Sequence, residues 1–314
     1  MNLAKTADIK QHFISHLTQH NTALYKGFLS LLLCIVTLFV MTFPSLLVAQ
    51  ESFTIPRSSV VEITDPTSKL TYPLFIKLPK GYDKNPEKKY PVIYLTDAWY
   101  AFQIVSGATR YPMNANKMEQ AIIVGISYAK GSKGDSSRVF DYTPNVSKSW
   151  RKKTGGAPQY MEFIEQHVFK YMSKHYRVDK ENRTFIGNSL GGLFGSYVLL
   201  TKPQLFKNYI LGSPSFWFDN NAIFRLESAV ENKINANVFI AIGERESKNF
   251  ESDYEMVNDA QLFYQKILSW QQENLKAKLI IIPEANHQTA FPTTAIQGLQ
   301  WVLGKCHKSM DCAQ

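Results

Sequence analysis

The residues best suited to carry chemistry are Gly187-Asn-Ser-Leu-Gly191, a serine with a glycine two positions to either side. A short β-type run, residues 183–186, leads into it. Residues 190–200 then place small or apolar side chains at helical spacing, with Pro203 just beyond. A sharp strand-to-helix turn pushes a serine hydroxyl out above a sheet and leaves almost no room at the two flanking positions, so glycine fills both. The pattern by itself is weak, and its strand and helix context and its partners carry the reading.

A serine hydroxyl needs a base within hydrogen-bond reach, usually a histidine oriented by a carboxylate. When such a turn serves acyl transfer on a parallel sheet, the partners follow in the order serine, acid, histidine, with the histidine after the last strand. Of seven histidines, His12, His16 and His20 belong to an N-terminal leader, and His307 sits in the tail beside Cys306. His167 and His175 lie on an amphipathic helix before the serine, where packing explains them. His287, in Pro283-Glu-Ala-Asn-His287, follows the final expected strand and is the expected general base.

The acid should follow the strand ending at Gly243, where Glu244, Glu246 and Asp253 compete. Glu246 is preferred because the chain must first turn before a side chain can reach back. A Ser–His pair whose imidazole is oriented by a backbone carbonyl stays open as an alternative. The expected oxyanion donors are the backbone N–H of Leu190 and that of Trp99, or of its neighbour Ala98, in the segment 96–102.

These residues need a sheet to hold them. From residue 51 the pattern alternates strand and helix, which implies a mostly parallel sheet covered on both faces. Expected strands are 59–64 and 71–78, paired antiparallel at one edge across Asp65-Pro-Thr-Ser68, then 90–95, 121–127, 183–186, 209–212, 238–243 and 279–283. Expected helices are 158–174, 190–200, 256–270 and 293–303. The polar block 128–156 is too long for an ordinary connection, and loops of that length are commonly functional.

The chain has 314 residues, 45% hydrophobic and 13% aromatic, enough for one α/β domain with a full core. Residues 1–50 differ from the rest. A polar stretch with Lys5, Lys10 and Lys26 precedes the uncharged run 27–50, which ends in Pro44 and Val48-Ala49-Gln50. We read 1–50 as a signal peptide cleaved near Ala49 or Gln50, and 51–314 as a single exported domain, periplasmic or secreted. An uncleaved membrane anchor is the competing reading, because the uncharged run is long enough to span a bilayer.

Cysteine usage agrees with export: beyond the leader only Cys306 and Cys312 remain, close enough in sequence to close a small loop. No C-x-x-C pair or H-E-x-x-H occurs, so no metal or cofactor is expected. The net charge is +9, and +7 without residues 1–50. That suits anionic ligands, while the aromatic-basic signatures of nucleic-acid modules are absent.

The segments Tyr90-Pro-Val-Ile-Tyr-Leu-Thr-Asp-Ala98, Asp141-Tyr-Thr-Pro144, Gly155-Gly-Ala157, Gly187-Asn-Ser-Leu-Gly-Gly192 and Glu284-Ala-Asn-His287 together resemble the esterase-D-type branch of the α/β-hydrolases. That branch includes enterochelin-type siderophore esterases, S-formylglutathione hydrolases, feruloyl and acetyl esterases, and mycolyltransferases. The resemblance spans nearly all of residues 55–304. It implies the α/β-hydrolase fold, Ser189 as nucleophile, His287 as base, an acid between Gly243 and Glu246, and an oxyanion donor just after Asp97. Ala98 stands where the family commonly has glycine. Among the branches the chain looks most like the exported siderophore-type esterases, with Arg138 beside the Asp141–Pro144 block as modest support.

The substrate is expected to be a small-molecule ester. The block 128–156 carries Lys130, Lys133, Arg138, Lys148, Arg151, Lys152 and Lys153 with Tyr142 and Trp150, and Phe216-Trp-Phe218 follows a later strand. Both lie at carboxyl ends of strands, where ligands bind in such sheets. Arg138, Trp150 and Trp217 are therefore expected substrate contacts for an anionic aromatic ester such as a catecholate trilactone. A solvated basic loop over core aromatics is the alternative. An exported carbohydrate acetyl, feruloyl or general carboxylesterase, and a non-catalytic binding protein on the same scaffold, are the competing functions.

Overall fold

Near-continuous apolar runs and tight turns organise the chain around one eight-stranded sheet. The computed structural model describes residues 24–37, 52–133, 135–226, 234–250 and 252–305. The strands are β1 (Ser58–Thr64), β2 (Thr71–Lys77), β3 (Tyr90–Leu95), β4 (Ile122–Ile126), β5 (Val178–Asn188), β6 (Asn208–Gly212), β7 (Ala236–Gly243) and β8 (Leu275–Ile282). Their order is β1-β2-β4-β3-β5-β6-β7-β8. β2 pairs antiparallel with β1 and with β4, and all other pairs are parallel. The mostly parallel sheet and its antiparallel edge are as expected. Asp65 makes the edge hairpin by accepting from the Thr67 and Ser68 amides at 3.0 and 3.1 Å, an Asx turn.

β3, β4 and β6 are buried along their whole length, as strands covered on both faces must be. One face is covered by α1 (Ala98–Asn114) and α7 (Ala290–Leu303), whose Ala98, Phe102, Val105, Phe291 and Leu299 pack on Ile93, Ile123, Ile186 and Phe239. On the other face lie α2 (Ser136–Tyr142), α3 (Ala157–Phe163), α4 (Phe169–His175), α5 (Leu190–Thr201) and α6 (Met256–Leu268). Each fully buried Leu, Phe or Ile there contributes about 1.5–3 kcal/mol over its exposed state. The alternation of β with α and the single layer of helices on each face bring every β–α loop to the carboxyl edge of the parallel strands.

Several elements differ from expectation. α1 has no counterpart among the expected helices, although Ala98, Ala101, Phe102, Val105, Thr109 and Met113 bury one helical stripe. The block 128–156 is not a plain loop, since α2 lies inside it. The helix expected at 158–174 is divided by a π-helical turn, Ile164–Val168. β5 starts at Val178 and β8 at Leu275, earlier than their apolar runs, because these stretches are polar on one side: Lys276 and Lys278 of the edge strand β8 point to solvent.

Residues 24–37 form an exposed helix. No helix among the described residues is long and apolar enough to cross a membrane. The expected cleavage region at Ala49–Gln50 and the Cys306/Cys312 pair lie outside the described residues.

Candidate active site

β5 ends at Asn188, α5 begins at Leu190, and Ser189 between them holds φ 59° and ψ −120°. Few side chains adopt such a backbone, and here the surroundings enforce it. The Ser189 amide donates to the Gly212 carbonyl at 2.9 Å, and the Ser189 carbonyl accepts from the Ser215 amide at 3.1 Å, so the turn hangs from the end of β6. A Cβ on Gly187 would come within 2.2 Å of the Gly191 carbonyl oxygen; one on Gly191 would meet Thr96 Oγ1 at 2.4 Å. Both glycines are thus steric requirements of the turn.

His287 follows β8, and its Nε2 lies 3.0 Å from Ser189 Oγ. Its Nδ1 lies 2.6 Å from Glu246 Oε2. Glu246 is 2% exposed, and its other oxygen accepts from Ser213 Oγ at 2.6 Å and from the Gly243 amide at 2.9 Å. The Glu246 amide donates to the Gly243 carbonyl at 3.0 Å, a tight turn that carries the carboxylate back over the end of β7. Glu244 instead accepts from the Glu284 amide at 2.9 Å, and Asp253 lines a cavity beside His287. The three-residue chain is therefore Ser189–His287–Glu246. With a carboxylate on Nδ1, the proton sits on that nitrogen and Nε2 is left as acceptor for the serine hydroxyl.

The close approach of Gly191 to Thr96 and Asp97 sets the first turn of α1 beside the first turn of α5. First-turn amides of a helix are not used by its own carbonyls, and two such ends side by side suit an oxyanion. The amides of Leu190 and of Ala98 and Trp99 belong to these turns. The Trp99 ring itself is exposed and meets Phe75 edge-on at 5.4 Å.

Asp97 sits in the left-handed region at φ 54° and is 1% exposed. α2 clamps it. Arg138 donates from Nε to Asp97 Oδ1 at 2.8 Å and from Nη2 to Oδ2 at 3.3 Å, Tyr128 donates its hydroxyl at 2.8 Å, and the Asp97 amide donates to the Tyr142 hydroxyl oxygen at 3.2 Å. Burial disfavours the Arg138 cation, but the charge and hydrogen bonds of Asp97, with Tyr142 and Tyr128, hold it charged. Burial, then Asp97, pushes the Tyr128 hydroxyl above its ordinary range. α2 is itself tied down through Asp141, which accepts from Ser137 Oγ at 2.7 Å and Tyr72 Oη at 3.1 Å; burial raises its pKa to about 6 against both bonds.

The guanidinium of Arg138, an expected substrate contact, is engaged with Asp97 through Nε and Nη2. Arg138→Met would leave that carboxylate buried without its cation. We expect a loss of about 3–5 kcal/mol in urea denaturation; an unchanged midpoint would mean that Tyr128 suffices to hold Asp97.

Trp217 and Trp150 stack at 6.0 Å, and Trp217 lies parallel to Tyr254 at 4.0 Å. Trp217 and Tyr254, with Arg245, Phe250 and Gln288, line a cavity of about 400 Å³ that opens beside His287. Phe250 and Tyr254 went unnoticed in the sequence, though both follow the same strand end as Glu246 and could have been found by that position. Of the loop cations, Lys130 pairs with Glu62, Lys152 with Asp135, and Lys153 lies over the Phe140 ring. Among the described residues no group of three His, Cys, Asp or Glu side chains could hold a metal ion.

The Esterase family model matches residues 68–279. The chain is 29% identical over 273 residues to the ferri-bacillibactin esterase BesA of Bacillus subtilis, covering 81% of this chain and 92% of that protein. It is 33% identical over 148 residues to the siderophore triacetylfusarinine C esterase of Aspergillus fumigatus, covering 46% and 50%. Among solved structures it is similar to the BES protein of Bacillus cereus, with TM-score 0.72, 29% identity and coverage of 81% and 97%. The siderophore hydrolase EstA of Aspergillus nidulans shares the fold at TM-score 0.68 and 18% identity, with coverage of 81% and 98%. With the eight-stranded sheet and the serine turn between β5 and α5, these matches lead to one assignment: the chain belongs to the Esterase family and is a carboxylic ester hydrolase of the α/β-hydrolase fold.

Proposed function

We propose that the chain is a serine esterase that opens siderophore esters through an acyl-enzyme on Ser189. The observation that carries the mechanism is the chain of contacts from Ser189 Oγ to His287 Nε2 at 3.0 Å and from His287 Nδ1 to Glu246 at 2.6 Å. Ser189 Oγ attacks the ester carbonyl and gives its proton to Nε2. Glu246 stabilises the imidazolium that results. The Leu190 and Trp99 amides, or Ala98 in place of Trp99, receive the oxyanion. Collapse expels the alcohol with the proton from Nε2, and water, activated by the same nitrogen, then hydrolyses the acyl-enzyme.

The siderophore reading rests on relatives named for ferri-bacillibactin and triacetylfusarinine C, and on the aromatic wall beside His287. Trp217 and Tyr254 offer flat faces to an aromatic acyl group, and Arg245 lies at the same rim. The test is a comparison of kcat/KM on a cyclic catecholate trilactone, a feruloyl ester and p-nitrophenyl acetate. The trilactone should lead the feruloyl ester by at least about 100-fold; parity between them would sink the siderophore assignment and leave the esterase one standing. Tyr254→Ala should raise KM for the trilactone by about 3- to 10-fold and leave the acetyl ester alone. Equal effects on both esters would place the ring outside substrate recognition. Export is part of the proposal, on the strength of the uncharged run 27–50.

A further inference from the structure

Ser215 lies within reach of the reacting atom. Its Oγ is 3.1 Å from Ser189 Oγ, and the residue is 0% exposed. The backbone that carries Ser215 is fixed beside the serine turn. The Ser215 amide donates to the Ser189 carbonyl, the Ser215 carbonyl accepts from the Phe218 amide at 3.1 Å, and Pro214 lies so close to α5 that a Cβ on Gly192 would meet its Cα at 3.1 Å.

The direction of the bond follows from the protons already assigned. Glu246 keeps the His287 proton on Nδ1, so Ser189 donates to Nε2 and has only lone pairs left. Ser215 is therefore the donor. It occupies one lone pair of the nucleophile and leaves the other free for the ester carbonyl, which limits the orientations from which attack can start.

We infer that Ser215 is a second catalytic hydroxyl, one whose main effect falls on deacylation. The inference rests on the acyl-enzyme reading above. In acylation a donor to the attacking oxygen orients it and also dulls it, two effects that oppose each other. In deacylation water adds to the acyl carbon, and the bond from that carbon to Ser189 Oγ breaks. Negative charge develops on Oγ as the proton arrives from His287 Nε2, and the Ser215 O–H then stabilises the leaving oxygen. Hydrogen bonds to charged groups are the stronger ones.

The experiment uses the full chain with p-nitrophenyl acetate. The release of p-nitrophenolate in the first turnover reads acylation, and the decay of the acetyl-enzyme, followed by intact mass after quenching, reads deacylation. In Ser215→Ala the acetyl-enzyme should decay about tenfold more slowly, while the first-turnover rate stays within about threefold. A decay rate equal to wild type overturns the inference. So does an equal loss in both steps, which is what a purely structural role would give. Ser215→Cys, close in size and a poor donor, should repeat the same split and serves if the alanine variant does not fold. Ser189→Ala run in parallel separates the two readings. Turnover without Ser189 would remove the acyl-enzyme itself, whereas an inert Ser189→Ala beside an unaffected Ser215→Ala would remove only the role of Ser215.

Discussion

Ser189→Ala should lower kcat for ester hydrolysis by about 10⁶-fold and leave folding intact. The size follows from what is lost. The side-chain oxygen has two contacts, His287 Nε2 and Ser215 Oγ, and both partners keep other bonds: His287 to Glu246, and Ser215 through its backbone to residues 189 and 218. Removing one oxygen creates no sizeable cavity, and the backbone at φ 59° is held by β6 whatever side chain stands there. The melting temperature should therefore stay within a few degrees, and the loss should be confined to chemistry. On the proposed mechanism the paired helix ends should still assist direct attack by water, about 10³–10⁴-fold over solution. Steady-state assays with p-nitrophenyl acetate and labelling by a fluorophosphonate check both parts. Wild-type turnover or labelling in the alanine protein would mean that the nucleophile lies elsewhere.

Much of this site can be read before any fold is known, because its members are bound to local signals. The Cβ position of Gly187 is closed by the nearby Gly191 carbonyl, while that of Gly191 is closed from far along the chain by Thr96; His287 stands alone among seven histidines in the loop directly after the last strand. The sequence separates Glu246 from Glu244 only by the expectation that the chain must turn before a side chain can reach back. The tight turn at Gly243–Glu246 separates them, and that turn depends on β7 and β8 lying side by side. Arg138 shows the limit more sharply. Its bond to Asp97, 41 positions away, has no signal in the sequence, because only the packing of α2 against the α1 turn joins them. Ser215 had no signal of its own, since a serine after a strand is ordinary and its distance to Ser189 exists only once β5 and β6 pair. α1 was hidden differently: its buried stripe is regular, but Gly107 and Pro112 interrupt the helical pattern that would reveal it.

Glu246→Gln should cost about 10³–10⁴-fold in kcat with KM little changed, while Glu244→Gln stays within about twofold of wild type. The reason is the geometry of donors around the carboxylate. Oε1 already accepts from Ser213 Oγ and the Gly243 amide, so a glutamine must turn its carbonyl oxygen to that side. Its NH₂ group then faces His287 Nδ1, which has to accept rather than donate. The histidine proton moves to Nε2 and points at Ser189 Oγ, and an imidazole in that tautomer cannot take the serine proton. Shape and burial are preserved, so stability should change far less than rate. Glu244 holds the Glu284 amide from outside the His287 contact, and its loss disturbs neither tautomer nor turn. A Glu246→Gln protein with wild-type kcat would mean that His287 needs no carboxylate and that Ser189 works with the histidine alone. Equal losses in the two variants would point instead to the loop after β7 as a whole, with charge rather than the Nδ1 contact as the operative feature.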